Sequence, residues 1–339
     1  MNNRNRGLIV GFILLILIGL IAGSFLLTGD EDDDDNDNSD LTDVTLFMTF
    51  IPNIQFAPVY AAIDNGYFEE EGLDVTIEHG GEPDGLDRIA VNDLQFGIIS
   101  GEQVILARNA EKPVVYVMEW YERFPVGIVV PADSEIETPA DLAGREVSIS
   151  FLEGASYMGL RALLGAVNLA EDDIELEPVG FTAPAVMCER QVEAAVVYIV
   201  NEPLQIEDCF DVRVIEFSDY VQLVSNGLVT NESTIANDPQ LVEKMVRAIT
   251  RGIQFTIDNP DEAFDISLKF VTDLSEDQYD VQREVLNRSI PLWEADVIGQ
   301  TSPQAWETTQ QALIDAGLLD GPLDNLEAAY TNEFVVEGE

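Results

Sequence analysis

The chain has 339 residues, 46% of them hydrophobic, and carries 64 Asp and Glu against 16 Lys and Arg, a formal net charge of −48. That apolar content excludes a mainly disordered chain, and so negative a surface excludes nucleic acid as a partner, because it repels phosphates. One His and two distant Cys leave no ligand set for a His/Cys zinc centre.

The N-terminus reads Met1-Asn2-Asn3-Arg4-Asn5-Arg6, and Gly7 to Leu27 then run without a charge. As a helix this run would span a hydrocarbon layer of about 30 Å. Arg4 and Arg6 hold the short side in the cytoplasm, so the remainder is exported. Residues 1–28 are therefore expected to be an uncleaved signal anchor, with a leader cut near Ala22-Gly23-Ser24 as the alternative. Asp30 to Asp40 is almost wholly acidic and cannot collapse, which makes 29–41 a solvated tether.

From Leu41 short β-rich runs alternate with helical stretches. Val44–Phe50, Leu73–Ile77, Gln95–Ile99, Val114–Met118 and Val126–Val130 read as strands, with helices over Ala57–Asn65, Gly85–Asn92 and Glu102–Asn109. Pro131 to Pro139 interrupts the pattern. A second set follows, with strands at Glu146–Ser150, Leu176–Phe181, Ala194–Tyr198 and Val212–Phe217 and helices at Ser156–Ala166 and Ala183–Arg190. Gly227–Thr230 is extended, and long helices take the rest: Pro239–Asn259, Pro260–Val271, Ser275–Ile290 and Ser302–Ala316.

Such alternation predicts an α/β fold with mainly parallel sheets. The simplest arrangement is two α/β lobes, the second inserted in the first: 42–132 and 229–339 for the first lobe, 133–228 for the second. The chain would cross between them near Ala132–Thr138 and again near Ser225–Asn231.

Ligands of open α/β sheets sit beyond the carboxyl ends of the strands. The segments found there are Asn53 to Phe56, Ser100 to Gln103, Trp120 to Pro125, Phe151 to Tyr157 and Asn201-Glu202-Pro203. They are rich in aromatics and neutral hydrogen-bonding groups, and Arg123 is their only cation. Trp120, Tyr121 and Tyr157 are the candidate stacking surfaces. Asn53, Gln103, Glu202 and Asn226 are the candidate edge contacts for a heterocycle, and Phe56, Tyr60, Ser100, Gly154, Ser156 and Tyr198 complete the expected lining. Ser100-Gly101 and Gly154-Ala155-Ser156 open helices, so their N–H groups would point into the cleft.

Plainer readings stand beside these. Phe56, Tyr60, Phe124 and Phe151 would serve equally as core, Asn53 and Asn226 as turn residues, and Glu202 as a helix-start charge. His79 reads as an ordinary loop His. Cys188 and Cys209 either pair outside the cell or stay as separate thiols. No Walker loop, dinucleotide fingerprint or nucleophile elbow is present in the sequence, and no catalytic residue, metal or cofactor is expected.

Asn53-Ile54-Gln55-Phe56-Ala57-Pro58-Val59-Tyr60, then Asn65-Gly66-Tyr67-Phe68-Glu69-Glu70-Glu71-Gly72-Leu73-Asp74-Val75, resemble the opening of ABC-transporter solute-binding proteins of the sulfonate- and thiamine-precursor-binding group. Phe96 to Gly101, Thr138 to Arg145 and Gly227 to Asn231 agree with it, and the resemblance extends over about Val44 to Asn259. It implies a two-lobed periplasmic-binding fold with two crossovers, closing on a small molecule that a permease and ATPase then import. Trp120 to Pro125 and Asn201-Glu202-Pro203 resemble the riboflavin and thiamine-pyrimidine-precursor branch, which implies riboflavin first and the pyrimidine second. A small anion such as a sulfonate, taurine or nitrate is a further alternative. The pyrimidine-synthesising enzymes of the same superfamily carry a Cys-rich motif and an active-site His and Lys, and the Cys-rich motif is absent here.

Overall fold

The computed structural model describes residues 41–336. The expected leader (1–28) and nearly all of the expected tether (29–41) lie outside the described residues.

The strands are β1 (Thr42–Thr49), β2 (Leu73–Gly80), β3 (Phe96–Ser100), β4 (Val114–Glu119), β5 (Val126–Pro131), β6 (Glu146–Ile149), β7 (Glu175–Pro178), β8 (Ala194–Tyr198), β9 (Val212–Glu216) and β10 (Asn226–Asn231). The helices are α1 (Ala57–Asp64), α2 (Tyr67–Glu70), α3 (Glu82–Ala90), α4 (Gly101–Asn109), α5 (Gly154–Ala166), α6 (Ala183–Cys188), α7 (Glu202–Glu207), α8 (Glu232–Asn237), α9 (Pro239–Asp258), α10 (Pro260–Ser267), α11 (Tyr279–Trp293) and α12 (Pro303–Asp315). Prolines in the first turn of α1, α3, α7, α9, α10 and α12 mark the starts, where a missing N–H costs nothing.

The strands form two five-stranded sheets, ordered β2-β1-β3-β10-β4 and β7-β6-β8-β5-β9. Each lies between helical layers, which is why β3, β4, β5 and β10 read as continuous buried runs. In the first lobe one face packs on α1, α9, α10 and α11, around Met48, Tyr60, Ile249 and Phe264. The other face carries Phe47, Tyr116, Trp306 and Leu313. In the second lobe α5 covers one face and α6 the other.

The sheets are mixed rather than purely parallel. β10 pairs antiparallel with β3 and β4, and β5 antiparallel with β8 and β9. The cause is topological: both strands begin where the chain has just crossed between lobes, at the cleft edge. They therefore run away from the cleft, while the other strands run toward it.

The first crossing corrects the expected boundary at 132. It lies between β4 and β5, in Trp120 to Pro125, so Val126–Pro131 belongs to the second sheet. Local pattern could not show this, because a buried apolar strand suits either sheet equally. The Pro131 to Pro139 break instead joins β5 to β6 within the second lobe. The second crossing precedes β10, which belongs whole to the first sheet, although the expected boundary at 228/229 would divide it. The tail also departs from expectation at α12, which packs on α4 of the first lobe and α5 of the second.

Candidate functional site

A cavity of about 430 Å³ opens between the two sheets, at the carboxyl ends of the parallel strands. The first lobe supplies Thr49 to Ile51 from the end of β1 onward, Gln55 and Phe56 before α1, His79 to Pro83 from the end of β2 into α3, Trp120 and Tyr121 after β4, and Asn226 at the start of β10. The second lobe supplies Ser150, Phe151, Glu153 to Ser156, Phe181, Val196 to Tyr198, Asn201 and Glu202. No Lys or Arg is among these residues.

Of the expected site residues, Phe56, Trp120, Tyr121, Gly154, Ser156, Tyr198, Glu202 and Asn226 line this cavity. Trp120 and Tyr121 are buried against Trp293 of α11. Tyr121 stacks on that indole at 5.8 Å between ring centres, and Trp120 meets it edge-on at 6.0 Å. Trp120 Nε1 is buried without a hydrogen-bond partner. Tyr198 Oη donates to Asn226 Oδ1 at 3.3 Å, which ties the second lobe to the first. Glu202 opens α7, and its carboxylate accepts the Tyr198 N–H at 3.1 Å. Burial pushes its pKa up to about 7.

Five expected site residues fall elsewhere. Asn53 caps the short 3-10 turn before α1 by accepting the Gln55 N–H, and faces a side pocket of about 140 Å³. Tyr60 is core: it is buried, and stacks on Phe270 at 4.6 Å. Gln103 is buried in α4 and does not line the cavity. Ser100 is also one layer back, bonded to Glu82. Tyr157 turns away from the cleft, because two residues along a helix carry it to roughly the opposite side of α5 from the lining residue Ala155; its hydroxyl meets Glu171 at 2.6 Å and Arg161 at 3.1 Å. Among the residues with a core alternative, Phe124 is core, while Phe151 is exposed at the cavity mouth.

Three lining features went unforeseen. Phe50, Phe181 and Phe151 form an edge-to-face row at the mouth, with ring centres 4.9 and 5.1 Å apart, and Phe50 adopts φ +79°. A non-glycine residue in that conformation marks a constrained backbone of the kind found at ligand clamps. His79 lines the cavity beside Phe56, and its Nδ1 is 3.2 Å from the Phe50 carbonyl oxygen. Burial lowers its pKa and so favours the uncharged ring. Glu82, in the first turn of α3, is buried; the Gly80-Gly81 pair ahead of it is the signal that could have drawn attention to this segment.

Cys188 and Cys209 are joined by a disulfide that links the end of α6 to the turn after α7. Among the described residues no group of three or more His, Cys, Asp or Glu is placed to hold a metal ion, and no helix is long and apolar enough to cross a membrane.

Residues 53–263 match the family described as NMT1/THI5 like. The chain belongs to the NMT1/THI5-like family. A riboflavin-binding protein, RibY, of Chloroflexus aurantiacus is 38% identical over 307 residues, covering 88% of this chain and 87% of that protein. A formylaminopyrimidine-binding protein of Halalkalibacterium halodurans is 27% identical over 282 residues, covering 81% and 84%. Among solved structures, the periplasmic aliphatic sulphonate binding protein SsuA of Escherichia coli superposes with a TM-score of 0.70 at 16% identity, covering 88% of this chain and 94% of its own. The last likeness shows the fold: this NMT1/THI5-like chain has the periplasmic-binding-protein architecture.

Proposed function

We propose that the protein is the extracytoplasmic receptor of an ABC importer and binds riboflavin between its lobes. The observation that carries this reading is the cavity wall: aromatic and neutral hydrogen-bonding groups from both lobes, without a Lys or Arg among them. Its volume falls within the roughly 300–1,000 Å³ of small-molecule sites. Trp120, Tyr121 and the Phe50-Phe181-Phe151 row offer ring faces and edges to a flat ligand, while Gln55, Asn226, Asn201 and Glu202 offer hydrogen bonds to its rim. The relative that binds riboflavin covers most of this chain at 38% identity, which supports the same ligand. The anion alternative finds no cationic side chain to serve it.

A thiamine pyrimidine precursor is the second reading, favoured by the formylaminopyrimidine-binding relative. Enzymatic activity is not proposed. The cavity wall contains no Lys or Cys, and its only His leans on a backbone carbonyl at the rim. The permease, the ATPase and the membrane anchor belong to the proposal through the fold and the N-terminal sequence.

The purified protein should quench riboflavin fluorescence at a one-to-one ratio, and a formylated aminopyrimidine should compete more weakly. Equal or stronger binding of the pyrimidine would transfer the assignment to that ligand, and binding of neither would defeat it.

A further inference from the structure

Glu82 belongs to the first lobe, yet its carboxylate closes on the starts of two helices at once. Oε1 accepts the Ser100 N–H at 2.5 Å and lies 2.6 Å from Ser100 Oγ, at the N-cap of α4. Oε2 accepts the Ala155 N–H at 3.2 Å, at the start of α5 in the second lobe. Free N–H groups and partial positive charge make such helix starts natural seats for sulfate, sulfonate or carboxylate. Here a carboxylate of the chain itself fills the seat. Gly154 permits the approach: it sits at φ +72°, and a Cβ there would stand 3.0 Å from Glu82 Oε2.

Hydrogen counting orders the donors and acceptors. Ser100 Oγ lies 2.6 Å from Glu82 Oε1 and 2.5 Å from Glu102 Oε1, but the hydroxyl has one hydrogen to give. One carboxyl must therefore donate to it. The remaining partners of Glu82 are N–H donors, so Glu82 accepts from Ser100 Oγ and Glu102 donates to that oxygen. Burial raises the pKa of Glu82 as well, and the bonds from Ser100 and Ala155 oppose that shift by favouring its ionised form. Glu102 is fully buried, with a pKa pushed up to about 8 by burial and by the neighbouring Glu82.

We propose that Glu82 is a specificity-determining residue: a built-in anion on the starts of α4 and α5 that bars small anionic solutes from the cavity and reserves it for neutral ligands. This rests on the reading of the cavity as the ligand site and adds the class of solute it refuses. Exclusion works twice, by occupying the N–H donors and by repelling a second negative charge.

The test compares wild type, Glu82→Gln and Glu82→Ala, with thermal midpoints read in millimolar methanesulfonate or sulfate against equal chloride, and affinities by calorimetry. The wild type should show no specific stabilisation. Glu82→Ala should gain anion binding by roughly tenfold or more, and the near-isosteric Glu82→Gln by less. Anion binding by the wild type as strong as by the variants would overturn the assignment, as would a lack of gain in the variants that fold. Riboflavin is titrated separately into the wild type. Its failure to bind, with the anion pattern intact, would sink the proposed ligand and leave the role of Glu82 standing.

Discussion

Tyr198, at the end of β8 in the second lobe, donates its hydroxyl to Asn226, the first residue of β10 in the first lobe, across 3.3 Å. Both residues line the cavity, so the bond closes its wall as well as joining the lobes. Tyr198→Phe removes the donor and leaves the ring in place. A hydrogen bond of this kind contributes about 0.5–1.5 kcal/mol, so ligand affinity should fall roughly 2- to 10-fold. A fluorescence titration of the variant checks this; unchanged affinity would show that the bond contributes nothing to the bound state.

Trp120 tests the stacking surface. Its ring is buried against Trp293 and lines the cavity, so its removal affects both packing and ligand. Trp120→Ala should cost about 3–5 kcal/mol of stability. Trp120→Phe keeps an aromatic face and should retain most of the stability while weakening riboflavin by up to about tenfold, the usual span of an aromatic pairing. Chemical denaturation and ligand titration on the two variants separate the effects. Full affinity in Trp120→Ala would remove this residue from the site.

The central strands β3, β4, β5 and β8 were legible because they are buried on both faces and keep their apolar runs; Ala194–Tyr198 falls where its composition places it. The short helices α2, α7 and α8 were not, because four to six residues of mixed polarity show too little of a helical period to stand out, whereas α6, equally short, is apolar throughout. The rule of strand carboxyl ends found Trp120, Tyr121 and Glu202, since it needs only a strand end and the next few residues. It overreached at Tyr157, where helical rotation rather than sequence distance decides which way the ring faces. Glu82 escaped for a different reason. With 64 acidic residues in the chain, only the Gly80-Gly81 pair ahead of it marks the segment, and nothing in the pattern says that two helices from different lobes will enclose its carboxylate.

The Cys188–Cys209 disulfide closes a loop of sequence separation 21 within the second lobe. For a loop of that size the restriction of the unfolded chain is worth about 3 kcal/mol. Replacing both Cys with Ser should lower stability by about that amount, read by denaturation without reductant. Reduced wild type should then behave like the double variant. Neither Cys lines the cavity, although Val196 to Tyr198, Asn201 and Glu202 of its wall fall within the closed loop, so the ligand-induced rise in thermal midpoint should survive wherever the unbridged protein folds.

Stability should fall as pH rises from mildly acidic to alkaline. Burial pushes Glu102 up to about 8 and Glu119 up to about 9, both well above the ordinary carboxylate value of 4.5. Between the unfolded and folded values the native state therefore holds protons that the unfolded state has released. Stability has a negative slope with pH wherever the folded state binds more protons. The contribution is fully present below the unfolded value and is lost as pH climbs through the folded one. The formal charge of −48 acts in the same sense, since carboxylates that ionise add self-repulsion. Glu102→Gln separates the two effects, because it removes one buried titration and barely alters the global charge. Thermal midpoints should decline between about pH 5 and pH 9 in the wild type, and less steeply in the variant. A variant slope equal to that of the wild type would place the Glu102 proton elsewhere and with it undo the Glu102–Ser100–Glu82 chain.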